Sequence, residues 1–210
     1  MKRLAGLSAI LMIAVFVGTA PATDVQMGAA IGDGGLRSFY LGIGDYYHVP
    51  EREIYVMHDE GVPDDDLPVV YFLAERARVA PGAIVDLRLR GWSWDRITFH
   101  YGLGPEIYYV PVPVTAVGPP YGHAYGYYRR VPRARWRTIH LSDDDVVNLV
   151  NLRFVSEYRH VPPERVIALR GGGHHFTEVY SRPDLRPGHG EGGGRWHGGE
   201  GHRGHGKHAD

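Results

Sequence analysis

The sequence predicts a mainly α-helical fold: an array of short αα-hairpins with a Pro/Gly/Tyr-rich insertion and a disordered C-terminal tail. Three observations carry this expectation. A spaced motif recurs, with Val49, Ile54, Gly61 and Leu67 returning as Val79, Ile84, Gly91 and Ile97, and again as Val161, Val166, Gly173 and Val179. Proline follows each first valine, at Pro50, Pro81 and Pro162-Pro163, where it breaks one helix and opens the next. Between these marks the apolar residues fall at helical spacing, as Val70, Leu73, Ala74 and Ala77 do. Units this small cannot bury an apolar face alone and need neighbours.

The chain opens with an export signal over residues 1–22. Lys2 and Arg3 precede an apolar stretch from Leu4 to Val17, and Ala20-Pro21-Ala22 forms a small-x-small cleavage site, with the cut expected after Ala22. The apolar run falls short of the roughly 20 residues a bilayer span requires, and no Cys follows to take a lipid. The protein is therefore expected in the periplasm or secreted, not spanning a membrane once the signal is cleaved. Residues 23–35 are expected to be a flexible N-terminal segment, and residues 36–180 the helical domain.

The first hairpin is built around Ile43, Tyr47, Val49, Ile54 and Met57 and closes at Gly61. In the second, Val70, Leu73, Ala74 and Ala77 face Ile84, Leu87 and Leu89. Gly91 ends it as a left-handed cap. Ser93 caps the helix after it, turning Trp94 and Ile97 inward. A degenerate unit follows over residues 93–110, its second helix cut short by Pro111 and Pro113. The last unit uses Leu149, Leu152, Val155, Val161, Val166 and Leu169 and ends in Gly171 to Gly173. The acidic runs Asp64 to Asp66 and Ser142 to Asp145 precede helices and read as caps; the alternating spacing and central glycine of a calcium loop are missing. The core is expected to include Leu73, Ile84, Leu87, Ile97, Leu149, Val155, Val166 and Leu169.

These hairpins resemble the helix-turn-helix of bacterial regulators and sigma-type proteins. The matching residues are Leu73-Ala74 with Val79 and Ile84, Ile43-Gly44 with Val49 and Ile54, and Val155-Ser156 with Val161 and Val166. They specify hairpin packing, an aliphatic-small pair followed by a turn and an aliphatic, and not DNA reading. The second helices are mixed in charge, beginning Glu51-Arg52-Glu53 in one case and setting Arg88 and Arg90 against Asp86 in another, so nucleic acid is not the expected partner. More broadly, residues 36–180 look like a group of uncharacterised exported bacterial proteins carrying phrases such as LPVVYFLA, GPPYGHAYGYY and DDDVVNLVNLRF. The resemblance implies export and this fold, and says nothing about chemistry.

The insertion spans about residues 110–140. Its Pro and Gly content argues against regular helix, and valines alternating from Val110 to Val117 suggest an extended stretch. Tyr121, Tyr125, Tyr127, Tyr128 and Trp136 lie beside Arg129, Arg130, Arg133, Arg135 and Arg137. Guanidinium forks suit carboxylates and phosphates, and rings stack on sugars. Tyr121, Tyr125, Tyr127, Tyr128, Arg129, Arg130, Arg133, Arg135 and Trp136 are thus the candidate partner-binding residues, for peptidoglycan, lipopolysaccharide phosphates or another protein of the cell envelope. The opposing arrangement has the rings packed back on the helices with arginine solvated outside.

Residues 181–210 are Gly-rich with little apolar surface and are expected to be disordered. They carry His189, His197, His202, His205 and His208, an alternative function as a weak Ni, Cu or Zn ligand set. No resident cofactor is expected. The chain contains no Cys, which removes disulfides and thiol catalysis. No HExxH, G-x-S-x-G or phosphate-loop motif is present, and His174-His175 reads as a helix C-terminal cap. The sequence therefore points to an exported, non-catalytic envelope interaction or structural module, with metal binding by the tail as the alternative.

Overall fold

The computed structural model describes residues 23–185, with side-chain environments from Gly34 onward. The leader at 1–22 and the tail histidines His189, His197, His202, His205 and His208 lie outside the described residues. The fold is mainly helical, with no strand among the described residues. Among the described residues nine α-helices follow in order: α1 (Thr23–Tyr47), α2 (Glu51–Asp59), α3 (Leu67–Ala77), α4 (Pro81–Leu89), α5 (Trp94–His100), α6 (Gly122–Arg130), α7 (Asp143–Arg159), α8 (Pro163–Gly171) and α9 (Phe176–Ser181). None is long and apolar enough to cross a membrane.

Three helix pairs, α1/α2, α3/α4 and α7/α8, share one joint. Each first helix ends on a residue in the left-handed region: His48 at φ 55°, Arg78 at 57° and His160 at 52°. The next residue folds its N–H back onto the first helix, Val49 to Gly44 O, Val79 to Ala74 O and Val161 to Ser156 O, each at 3.0 Å. This bond satisfies a carbonyl that the helix end would leave open. The small residues at these acceptors let the turn close: a Cβ on Gly44 would already sit 3.0 Å from Val49 O. Proline then opens α4 and α8. Gly61, Gly91 and Gly173 follow the second helices at φ 100°, 82° and 89°.

Beyond the joints the helices do not stack as a simple row. α3 packs against α7 as well as α4, and α1 packs against α9. The reason lies in composition. Every residue from Leu67 to Ala74 in α3 is buried, so this helix needs neighbours all round. α7 packs on it and buries Val146, Leu149, Val150, Leu152, Phe154 and Val155 in the same core. Phe39, Phe154 and Tyr180 bring α1, α7 and α9 together, with ring centroids 5.6–5.7 Å apart. Of the expected core, Leu73, Ile84, Ile97, Leu149, Val155 and Val166 are fully buried, and Leu87 and Leu169 pack half-buried against it. Burying one such aliphatic side chain contributes about 1.5–3 kcal/mol.

Several boundaries differ from the sequence reading. α1 begins at Thr23, so residues 23–35 are helical where a flexible segment is expected. A 3-10 turn over Pro183–Leu185 buries Leu185, extending the packed domain past residue 180. The insertion contains a helix, α6, despite Gly122 and Gly126; Tyr121, Ala124, Tyr125 and Tyr128 form a buried stripe at helical spacing. Val114–Ala116 is a 3-10 turn and no extended strand forms there. In the degenerate unit only a 3-10 turn, Pro105–Tyr108, follows α5.

The two acidic runs also part company. Ser142 caps α7 in a reciprocal box with Asp145. Asp64–Asp66 forms a 3-10 turn and makes no side-chain cap bond to α3. Its carboxylates reach across the fold instead: Tyr40 donates to Asp64, and Arg88 donates to Asp66 at 3.0 and 3.1 Å.

Candidate functional site

Two surfaces gather polar chemistry. The first is the insertion, where the rings are anchors. Tyr121, Tyr125, Tyr128 and Trp136 are all buried. The Tyr125 hydroxyl donates to Val110 O and that of Tyr128 to Pro105 O, both at 2.6 Å. Trp136 Nε1 donates to the carbonyls of Tyr128 and Val131. Tyr109, from the degenerate unit, lies 4.6 Å from the Trp136 ring and 5.1 Å from that of Tyr128, centroid to centroid. These four candidate binding residues are therefore turned inward, because burying a large ring gains more than exposing it. Tyr127 is half-buried.

The arginines are left on the outside. Arg129, Arg130, Arg133, Arg135 and Arg137 are exposed. Arg129 and Arg130 fold onto helix carbonyls through Nε, Arg133 sits over the Trp136 ring at 5.4 Å, and Arg130 over Tyr127 at 5.4 Å. Among the described residues, Arg137 alone of the five approaches a carboxylate, Glu106, at 3.9 Å. Beside Arg133 and Trp136 lies an open groove of about 600 Å³, completed by Tyr109, Pro111 and Glu106.

The second surface is a cleft of about 470 Å³ that no sequence motif marks. Four separate segments build it. The Asp64–Asp66 turn supplies Asp65 and Asp66, the first turn of α6 supplies His123, α7 supplies Asp144, Asp145 and Asn148, and the end of α8 supplies Arg170. Asp145 is the fixed point. Its Oδ2 accepts from Ser142 N at 3.1 Å, Ser142 Oγ at 2.8 Å and His123 Nδ1 at 2.7 Å. Asn151 donates to Asp65 O at 2.7 Å and holds the acidic turn against α7. Arg170 Nε donates to Asn148 Oδ1 at 3.2 Å and Nη1 to His174 O at 2.7 Å.

Charge in this cleft is partly compensated. Burial would lower the Arg88 guanidinium, but its bonds to Asp143 and Asp66 outweigh that and hold it above its ordinary value. Asp66 is thereby ion-paired. Burial pushes the Asp65 carboxyl above its usual range, and Arg170 and His175 pull it only partly back. His175 Nδ1 lies 4.0 Å from Asp65 Oδ2. His174 pairs with Glu178 of α9 at 3.2 Å, and His175, the residue before α9, makes no side-chain cap bond.

Ser142, His123 and Asp145 contain the residue types of a hydrolytic triad, but not its connectivity. Serine and histidine both donate to the same carboxylate oxygen, and among the described residues no bond joins Ser142 Oγ to His123, so the hydroxyl has no base. Nor do the described residues include a group of three or more His, Asp or Glu side chains arranged to hold a metal ion. Comparison of the chain with protein-family models, curated proteins and solved structures returned no match.

Proposed function

We propose that the protein is an exported, non-catalytic cell-envelope interaction module that holds anionic groups of an envelope component on the arginine face of its insertion. One observation carries this reading. Five exposed arginines stand within nine residues on a segment whose rings are buried or half-buried, and among the described residues only Arg137 has a carboxylate near it. Arg88 and Arg153, by contrast, each pair with a carboxylate. Unpaired guanidinium forks on an ordered support suit carboxylate or phosphate groups, and order the ligand at low entropic cost. Export rests on the leader read from residues 1–22.

The test is co-sedimentation of the full chain with isolated cell envelopes at low and high salt, beside a variant carrying R129E, R130E, R133E and R135E. An exposed charge pair contributes roughly 0.2–1 kcal/mol, so losing four should weaken binding by about fourfold to a thousandfold. Circular dichroism should be unchanged, because none of the four is buried. Equal co-sedimentation of the two proteins, or binding insensitive to salt, would refute the assignment.

A further inference from the structure

The cleft between the Asp64–Asp66 turn and helices α6, α7 and α8 has open hydrogen-bonding positions of both signs. Arg170 uses Nε and Nη1 internally, and its Nη2 donates to nothing among the described residues. Asn148, only 5 % exposed, lines the cleft and accepts from Arg170 through Oδ1, while its amide nitrogen likewise donates to nothing there. The Tyr121 hydroxyl is buried without a partner, with Arg170 and Asp65 among the charges acting on it. Native folds leave few buried groups unsatisfied, and of these three only the Tyr121 hydroxyl is both buried and unpartnered, while Arg170 Nη2 and Asn148 Nδ2 remain free to donate. On the other side, Asp65 feels Arg170 and, at 4.0 Å, His175, and the exposed Asp144 forms no ion pair among the described residues.

The charges are unequal. Asp66 is taken by Arg88, which leaves Asp65, Asp144 and Asp145 facing Arg170 as the one arginine lining the cleft, with His123 already committed to Asp145. A ligand that fits must bring a carboxylate for the guanidinium and amide, and more than one cationic group for the acids. The volume, about 470 Å³, lies within the range of small-molecule sites.

We propose that this cleft binds a basic α-amino acid, its carboxylate held by Arg170 Nη2 and Asn148 Nδ2 and its ammonium groups by Asp65 and Asp144. A guanidinium and an amide donate together to one carboxylate, and a charge-assisted bond of this kind is stronger than a neutral one. The side-chain ammonium distinguishes the ligand from neutral amino acids, because the acidic excess is otherwise unanswered.

The experiment is calorimetric titration of the full chain with L-lysine, beside L-alanine, cadaverine and Nα-acetyl-lysine. Lysine should bind, and each of the others should bind about tenfold or more weakly, since each lacks one charged group. R170Q and D65N should each lose about tenfold or more, whereas the four-arginine insertion variant should bind lysine as the parent does. That last arm separates this site from the arginine face. No heat from lysine at millimolar concentration would overturn the proposal. So would cadaverine binding as tightly as lysine, which marks a simple cation trap, or unchanged affinity in R170Q and D65N. If R170Q does not fold, the ligand series alone decides.

Discussion

The shared helix joint predicts opposite outcomes for two kinds of substitution. Gly61, Gly91 and Gly173 lie at φ between 82° and 100°, and a Cβ built on any of them meets nothing within 4 Å. Gly91→Ala therefore adds no clash, and its cost is backbone conformation alone. A left-handed residue with a Cβ costs about 1–2 kcal/mol, and alanine recovers about 0.4–1 kcal/mol by restricting the unfolded chain. The net expectation is a loss of roughly 1 kcal/mol. Arg78 is the mirror case: it sits at φ 57°, is exposed, and its side chain has no hydrogen bond or ion pair among the described residues. Arg78→Gly relieves strain of the same size and gives back about 0.5–1 kcal/mol in chain entropy, for a net gain of roughly 0.5–1 kcal/mol. His48 and His160 share its geometry and exposure, so the triple H48G/R78G/H160G variant should gain about 2 kcal/mol if the sites are independent. Urea unfolding with unchanged m reports both signs. A neutral G91A, or an R78G that destabilises, would refute the reasoning, and a triple gain no larger than the single would deny that the three joints are equivalent.

Three further outcomes follow from buried chemistry. Because burial raises the Asp65 carboxyl in the fold, ionising it costs stability, a cost absent at acid pH and incurred as pH rises through its folded value; D65N should therefore raise the melting temperature at neutral pH, and an equal gain in acid would contradict this. Arg88→Met leaves Asp66, only 6 % exposed, without its partner and should cost about 3–5 kcal/mol in urea unfolding, with R88M/D66N recovering part; a loss below about 1 kcal/mol would show the pair is dispensable. Gly42→Ala places a Cβ within 2.5 Å of Tyr180 Cζ, against a ring already packed between Phe39 and Phe154. It should cost about 1–3 kcal/mol, and wild-type stability would mean the α1–α9 contact yields freely.

The parts of the fold legible in the sequence are those governed by local rules. Gly91 and Ser93 act as the caps their positions imply, and periodicity identifies Leu73, Ile84 and Val166 as core. α6 was equally encoded, since Tyr121, Ala124, Tyr125 and Tyr128 follow the i, i+3, i+4, i+7 pattern; the neighbouring Pro119-Pro120 and two glycines outweigh that signal when the segment is read alone. The Asp64–Asp66 run has the composition of a cap, but Arg88 and Tyr40, both more than twenty residues away, claim its carboxylates. Nothing short of the tertiary fold reveals that competition. The cleft is invisible for the same reason: Asp65, His123, Asn148 and Arg170 belong to four segments with no common motif.

The first turn of α7 explains why the two polar surfaces can coexist on a small domain. Asp143 accepts from Trp94 N at 2.7 Å and binds Arg88, fastening α5 and α4. Asp145 closes its own helix cap and holds His123 at the start of α6. The insertion is thus fixed at the start of α6 by the hydrogen bond between His123 and Asp145 of α7, and further along by Tyr128 and Trp136 packed on Tyr109. A segment held at two places has little backbone entropy left to lose, so arginines on it bind at the cost of side-chain ordering alone. The cap that starts a central helix therefore also orders one wall of the cleft and the base of the arginine face. Asp145→Ala should consequently disturb both surfaces, while substitution of the outward arginines should leave the cleft intact.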